Sequence, residues 1–134
     1  MKKLSILFTC LFLIILSSNA FSEWKELGEN NDSKSFLDFE SIKKIDKDIY
    51  WWELIDYISP QKNGSLSKTI YKKGDCNLFR MTTVTIMYYT KSMGKGKRKI
   101  RTFENSNWHY PSPKSYEEFI LNFACKVVKL KYPN

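Results

Sequence analysis

Lys91, Lys95, Lys97, Arg98, Lys99 and Arg101 place six positive charges in eleven residues, with no acid between them. Such a run concentrates anionic ligands and speeds their encounter. Side chains alternate along an extended strand, so Lys97, Lys99 and Arg101 point one way and Arg98 and Ile100 the other. Three cations then face one polyanion. Tyr88, Tyr89 and Trp108 are expected to add sugar or aromatic contacts. The competing reading is a solvated edge whose charge blocks pairing with other chains.

Catalytic constellations are sparse. His109 is the single histidine, so any Ser–His or Cys–His device needs it as the base. It sits between Trp108 and Tyr110 in a Pro-flanked stretch with no motif around it. Asp38, Glu40, Glu53 and Asp56 offer carboxylates for glycoside chemistry, but nothing in their spacing places two across a cleft. Asp56 and Asp75 read better as acceptors for backbone donors at strand ends. Gly94-Lys95-Gly96-Lys97 lacks the spacing of a phosphate loop. Cys76, Cys125 and His109 lack metal-ligand spacing. The reading is a non-catalytic chain with no metal and no cofactor.

The amino terminus sets the address. Lys2 and Lys3 precede the apolar run Leu4–Leu16, and Ser17, Ser18, Asn19 and Ala20 follow it. That order describes a secretory signal peptide over residues 1–20, with cleavage after Ala20 or Ser22. The run is too short for a permanent span, which needs about 20 apolar residues. Residues 21–134 then form one domain. The chain carries +8, and +6 once Lys2 and Lys3 leave with the leader. A positive exported domain favours acidic polysaccharide or acidic protein faces as partners. Export argues against a specific nucleic-acid partner. Self-association is left open, as is the choice among periplasm, outer-membrane surface and medium. Cys10 leaves with the leader, and Cys76 and Cys125 remain as an even pair in an oxidising compartment. A disulfide is expected; two free buried thiols are the alternative.

The elements that must position these residues are short strands and one helix. Strands are expected at 23–27, 35–39, 49–59, 68–73, 78–90 and 97–104, from their aromatic and β-branched content and the turn residues between them. Ser41 and Ile42 are expected to start a single helical turn. Residues 49–59 carry apolar bulk on both faces, which suits a mid-sheet strand covered on both sides. Thr83 and Thr85 alternate with Val84 and Ile86. Residues 105–113 read as irregular. Ser115 and Glu118 form a capping box for a C-terminal helix. Tyr116, Phe119, Ile120, Phe123, Val127 and Leu130 are its expected core stripe. Glu117 and Glu118 in the first turn and Lys126, Lys129 and Lys131 later complement the helix dipole. The fold class is α+β: an antiparallel sheet of about six strands with one C-terminal α-helix packed on one face.

An ordered set of landmarks runs through residues 24–125. It comprises Trp24 with Leu27-Gly28, Asp38-x-x-Ser41-Ile42, Trp52-x-Leu54-x-Asp56-Tyr57 and Gln61-Lys62. Asp75-Cys76, Arg80, Met93-Gly94-x-Gly96, Trp108 with Pro111, and Cys125 follow. This set resembles the bacterial surface-adhesin E-like family. The resemblance implies a secreted or outer-membrane-associated domain, an antiparallel sheet on a helix, and no catalysis. It also implies a binding role, with host matrix and plasma proteins as ligands of some members. The motif residues look structural, so the cysteine pair carries over and no ligand site does. The alternative is a periplasmic envelope protein or an enzyme inhibitor that binds another protein.

Overall fold

The computed structural model of the chain describes residues 23–104 and 107–133. The leader and its cleavage points lie outside the described residues. Six strands come first: β1 (Trp24–Glu29), β2 (Ser33–Ile45), β3 (Asp48–Tyr57), β4 (Ser67–Asp75), β5 (Arg80–Lys91) and β6 (Lys95–Thr102). Helix α1 (Tyr116–Lys131) follows. The strands lie in sequence order in one sheet, each antiparallel to the next. The expected α+β architecture is therefore present, with the helix on one face of the sheet.

Local chemistry explains the meander. Asn30 Oδ1 accepts from the Asp32 and Ser33 amides at 2.8 and 2.9 Å, which closes the β1–β2 turn. Asp75 Oδ1 does the same for Asn77 and Leu78 at 3.0 and 3.1 Å after β4. Asx acceptors of this kind compete with continued pairing and so end strands. Each strand then turns back to pair with the one before it.

The core lies between α1 and the sheet. Leu37, Ile42, Ile49, Trp51 and Met81 pack against Ile120, Leu121, Ala124 and Val128. Gly74 permits the close approach: a Cβ there would meet Leu121 Cδ1 at 2.8 Å and Trp51 Cζ3 at 2.9 Å. Cys76 and Cys125 are disulfide-bonded, with Cα atoms 5.8 Å apart. The bond ties the β4–β5 turn to the middle of α1. Closing a loop of this span restricts the unfolded chain by about 4 kcal/mol in the chain-entropy model.

Three local expectations need correction. The core stripe of α1 is rotated: Ile120, Leu121, Ala124 and Val128 are buried, while Phe119 is 57% and Leu130 82% exposed. Apolar residues cover more than half of the helix circumference, so spacing alone did not choose the inward side. Ser41 and Ile42 start no helical turn but lie in β2, where pairing with β3 shifts between Asp38 and Lys43. Asp38 Oδ1 accepts from the Glu40 and Ser41 amides, and Ser41 Oγ accepts from Trp52 N at 2.9 Å. This bulge swings Ile42 into the core. Thr83 and Thr85 share no face, because a bulge in β5 sets them opposite Lys72 and Tyr71, two consecutive residues of β4. The segment read as irregular contains one ordered pairing, in which His109 and Met81 exchange both backbone hydrogen bonds.

β3 is the third of six strands, and its two faces are covered differently. Ile49, Trp51 and Glu53 face α1. On the other face Leu54 lies beneath the β5–β6 turn, whose Gly94 backs onto Leu54 Cδ1.

Candidate functional site

The cationic run maps onto the end of β5, the β5–β6 turn and β6. The turn is built to fold back. Met93, Gly94 and Gly96 all have positive φ, which the two glycines adopt without a Cβ penalty. Met93 N donates to Asp56 Oδ1 at 2.7 Å, and Gly94 N donates to Ser67 Oγ at 3.0 Å. Ser67 Oγ in turn donates to the Lys91 carbonyl at 2.6 Å. Asp56 and Asp75 are thus backbone acceptors, as their positions suggested.

Folding the turn over the sheet leaves β6 as the outer strand, with every residue exposed. The register sets Lys99 and Arg101 opposite Tyr88 and Ile86, and Arg98 and Ile100 opposite Tyr89 and Met87. Lys99 and Arg101 therefore lie on the same face as α1, and Arg98 on the other. Lys91 and Lys95 face each other across the turn. A shallow groove of about 540 Å³ runs beside this edge, lined among others by Tyr88, Tyr89, Lys97, Arg98, Lys99 and Arg101. Among the described residues none of the six cations has a carboxylate within ion-pair distance. Arg101 lies over the Phe103 ring at 4.8 Å. Unpaired, solvated cations on a strand can attract an anion without first breaking an internal bond.

Tyr88 and Tyr89 join this edge, and Trp108 does not. Trp108 lies toward the opposite end of the strands, under Arg80 at 4.6 Å and Lys73 at 5.3 Å. Arg80 also pairs with Asp75 Oδ2 at 3.3 Å. The Leu78 and Asn77 amides, with Arg80, hold the Asp75 carboxyl below its ordinary range. Trp108 is thus part of a structural clasp.

The carboxylates do not assemble a hydrolytic pair. Glu53 faces α1, while Asp38 and Asp56 lie on the other face and serve backbone donors. Glu53 is 4% exposed and accepts from Trp51 Nε1 at 2.7 Å. Burial pushes its pKa up, opposed by the Lys72 charge and the Trp51 bond. Lys72 Nζ reaches Glu117 Oε1 at 3.4 Å, and Glu117 Oε2 meets His109 Nε2 at 3.1 Å. Burial, with the charge of Glu53, raises the pKa of the neighbouring Tyr116 phenol. The sequence did not signal this cluster, which joins β3, β4, the His109 segment and the first turn of α1. It anchors the helix start, to which His109 is tied through Glu117. Among the described residues no group of three metal-ligating side chains gathers, and no helix is long and apolar enough to cross a membrane.

The model of the family described as surface-adhesin protein E matches residues 24–126. Among solved structures, the chain is similar to the selenomethionine form of Haemophilus influenzae protein E. That match has 16% identity and a TM-score of 0.63, and covers 86% of this chain and 95% of that one. Crystal form II of Haemophilus influenzae protein E gives 18% identity and a TM-score of 0.60, over 81% of this chain and 91% of that one. Protein E from non-typeable Haemophilus influenzae gives 18% and 0.58, over 81% and 79%. Identities this low establish the shared fold alone. No curated protein matches the chain.

Proposed function

This chain belongs to the surface-adhesin protein E family, and on that premise we propose that it is a non-catalytic binding module whose ligand contact is the β6 edge. Family membership implies an exported protein of the cell surface. The proposal takes residues 1–20 as a removed leader and 21–134 as the working domain. Its ligands are host matrix or plasma proteins with acidic faces, or acidic polysaccharides. Lys97, Lys99 and Arg101 make the primary contact; Lys91, Lys95 and Arg98 extend it. The observation that carries this reading is the absence of any carboxylate partner for these six cations among the described residues. Lys34, Lys72, Lys73 and Arg80 are paired, and the β6 edge differs from the other unpaired lysines in gathering six cations within eleven residues.

Retention on immobilised heparin tests the reading. The triple variant Lys97→Glu, Lys99→Glu, Arg101→Glu is expected to elute at much lower salt than the parent, while its thermal midpoint stays within a few degrees. Equal retention of both proteins at physiological salt removes the edge as the site. Protease shaving of intact cells separates surface display, where the protein is cut, from the periplasmic alternative, where it is protected.

A further inference from the structure

A second cationic groove lies at the other end of the strands. The β5–β6 turn sits with Asp56 and Ser67, whereas this groove opens beside Ile49, Cys76 and Cys125. Roughly 23 Å of strand, at about 3.3 Å per residue, separates Ile49 from Asp56. The groove, of about 890 Å³, is lined by Lys44 near the end of β2, by Lys47 in the β2–β3 turn and by Lys126 and Lys129 from α1. Among the described residues lining it Asp46 is the one carboxylate, and Ile49, Val128, Tyr132 and Pro133 supply apolar wall.

Placement of the lysines argues for a binding role. Lysines in the last turns of a helix are expected, because they complement its negative end. Lys129 and Lys131 both lie in that last turn, but only Lys131 is also tied to the sheet, its Nζ reaching the Phe39 and Ile42 carbonyls of β2 at 3.4 and 3.3 Å. Lys126 and Lys129 have no carbonyl or carboxylate partner among the described residues, and neither do Lys44 and Lys47. These four cations come from stretches some eighty positions apart, yet they border one concavity. The Cys76–Cys125 bond forms part of its wall and fixes α1 against the β4–β5 turn. Four cations beside an apolar wall and an exposed Tyr132 match the charge and the sugar faces of a sulfated chain. Convergent charges on a partly apolar hollow are the usual form of a ligand site.

We propose that this groove is a second binding site for sulfated polysaccharide, independent of the β6 edge. With cationic sites at both ends of the sheet, one molecule bridges two polyanionic chains. The groove binds whether or not the β6 edge does; only the bridging rests on the function proposed above.

The test uses heparin-coated beads and, as a second probe, vesicles containing phosphatidylglycerol. The groove variant carries Lys44→Glu, Lys47→Glu, Lys126→Glu and Lys129→Glu. The parent protein is expected to clump the beads, and the groove variant to bind them without clumping them, because bridging needs two sites on one molecule. Combining the groove and β6 variants is expected to abolish bead binding. Clumping by the groove variant at the parent's concentration overturns the proposal. So does a loss of affinity seen only on vesicles, which reassigns the groove to lipid. If the β6 variant binds as the parent does and the combined variant not at all, the β6 reading fails and the groove stands. Should the charge reversals lower the thermal midpoint, Lys→Gln replacements at the same four positions give the same readout.

Discussion

The body of the sheet and the β6 edge use polar residues in opposite ways. Away from β6, on both faces of the sheet, Asp38, Ser41, Glu53, Lys72 and Asp75 each hold a named partner. On β6 the cations hold none among the described residues. The landmarks that mark the family, including Asp38-x-x-Ser41-Ile42, Asp75-Cys76 and Cys125, fall in the first region and explain its geometry. Met93-Gly94-x-Gly96 folds the turn from which β6 starts. A shared scaffold therefore sits beside a strand whose cations hold no ion pair among the described residues and, apart from Arg101 over Phe103, are free to specify a ligand.

Replacing Cys76 and Cys125 by Ala is the largest expected break in the contrast. It should cost about 4 kcal/mol in denaturant unfolding, while the fraction that remains folded still binds heparin through β6. A loss of binding in that folded fraction would mean that the two regions are coupled. Gly74→Val should cost about 1–3 kcal/mol, because its side chain enters space held by Leu121 and Trp51. A neutral midpoint in urea would show that α1 packs less closely than described. Ser41→Ala leaves the Trp52 amide without its acceptor, with an expected cost of about 1–3 kcal/mol. The same measurement on Lys99→Gln should give a change within about 0.5 kcal/mol.

Glu53→Gln gives the subtlest effect, and it depends on pH. Burial raises the folded-state pKa of Glu53 above its unfolded value. The folded form then binds the proton more tightly, so this group favours folding in acid, and its contribution falls as pH rises from the unfolded value through the folded one. Asp75, held below its ordinary value, acts in the opposite sense and loses its contribution as pH falls through its folded pKa. The difference in thermal midpoint between Glu53→Gln and parent should therefore grow in favour of the variant as pH rises above the ordinary carboxylate range. A difference that is flat with pH contradicts a buried, ionisable Glu53.

Much of the scaffold was legible in the sequence, because its signals are local. The Asx acceptors, the strand composition and Ser115 Oγ, which accepts from Glu118 N at 3.1 Å, need no distant partner to be recognised. Glu118 itself reaches back to Lys114 N rather than to the cap amide, a one-residue displacement within the same device. What escaped depends on three dimensions. The inward side of α1 is set by Gly74 and the disulfide, not by the wide apolar arc of the helix. The faces of Thr83 and Thr85 are set by a bulge. Trp108 is carried away from β6 when His109 pairs with Met81. The β6 cations were visible because they are contiguous. The second groove was not, because Lys44 and Lys47 meet Lys126 and Lys129 only after folding.

The central claim is that β6 binds polyanions through charges the fold does not need. The salt dependence of heparin affinity tests it most directly. Each cation that displaces condensed counterions adds about 0.7–0.9 to the slope of log affinity against log salt on a highly charged polymer. The Lys97→Glu, Lys99→Glu, Arg101→Glu variant is predicted to lose about two to three units of slope on that scale, at an unchanged unfolding midpoint. A slope equal to that of the parent, or a slope change that appears only together with unfolding, contradicts the account.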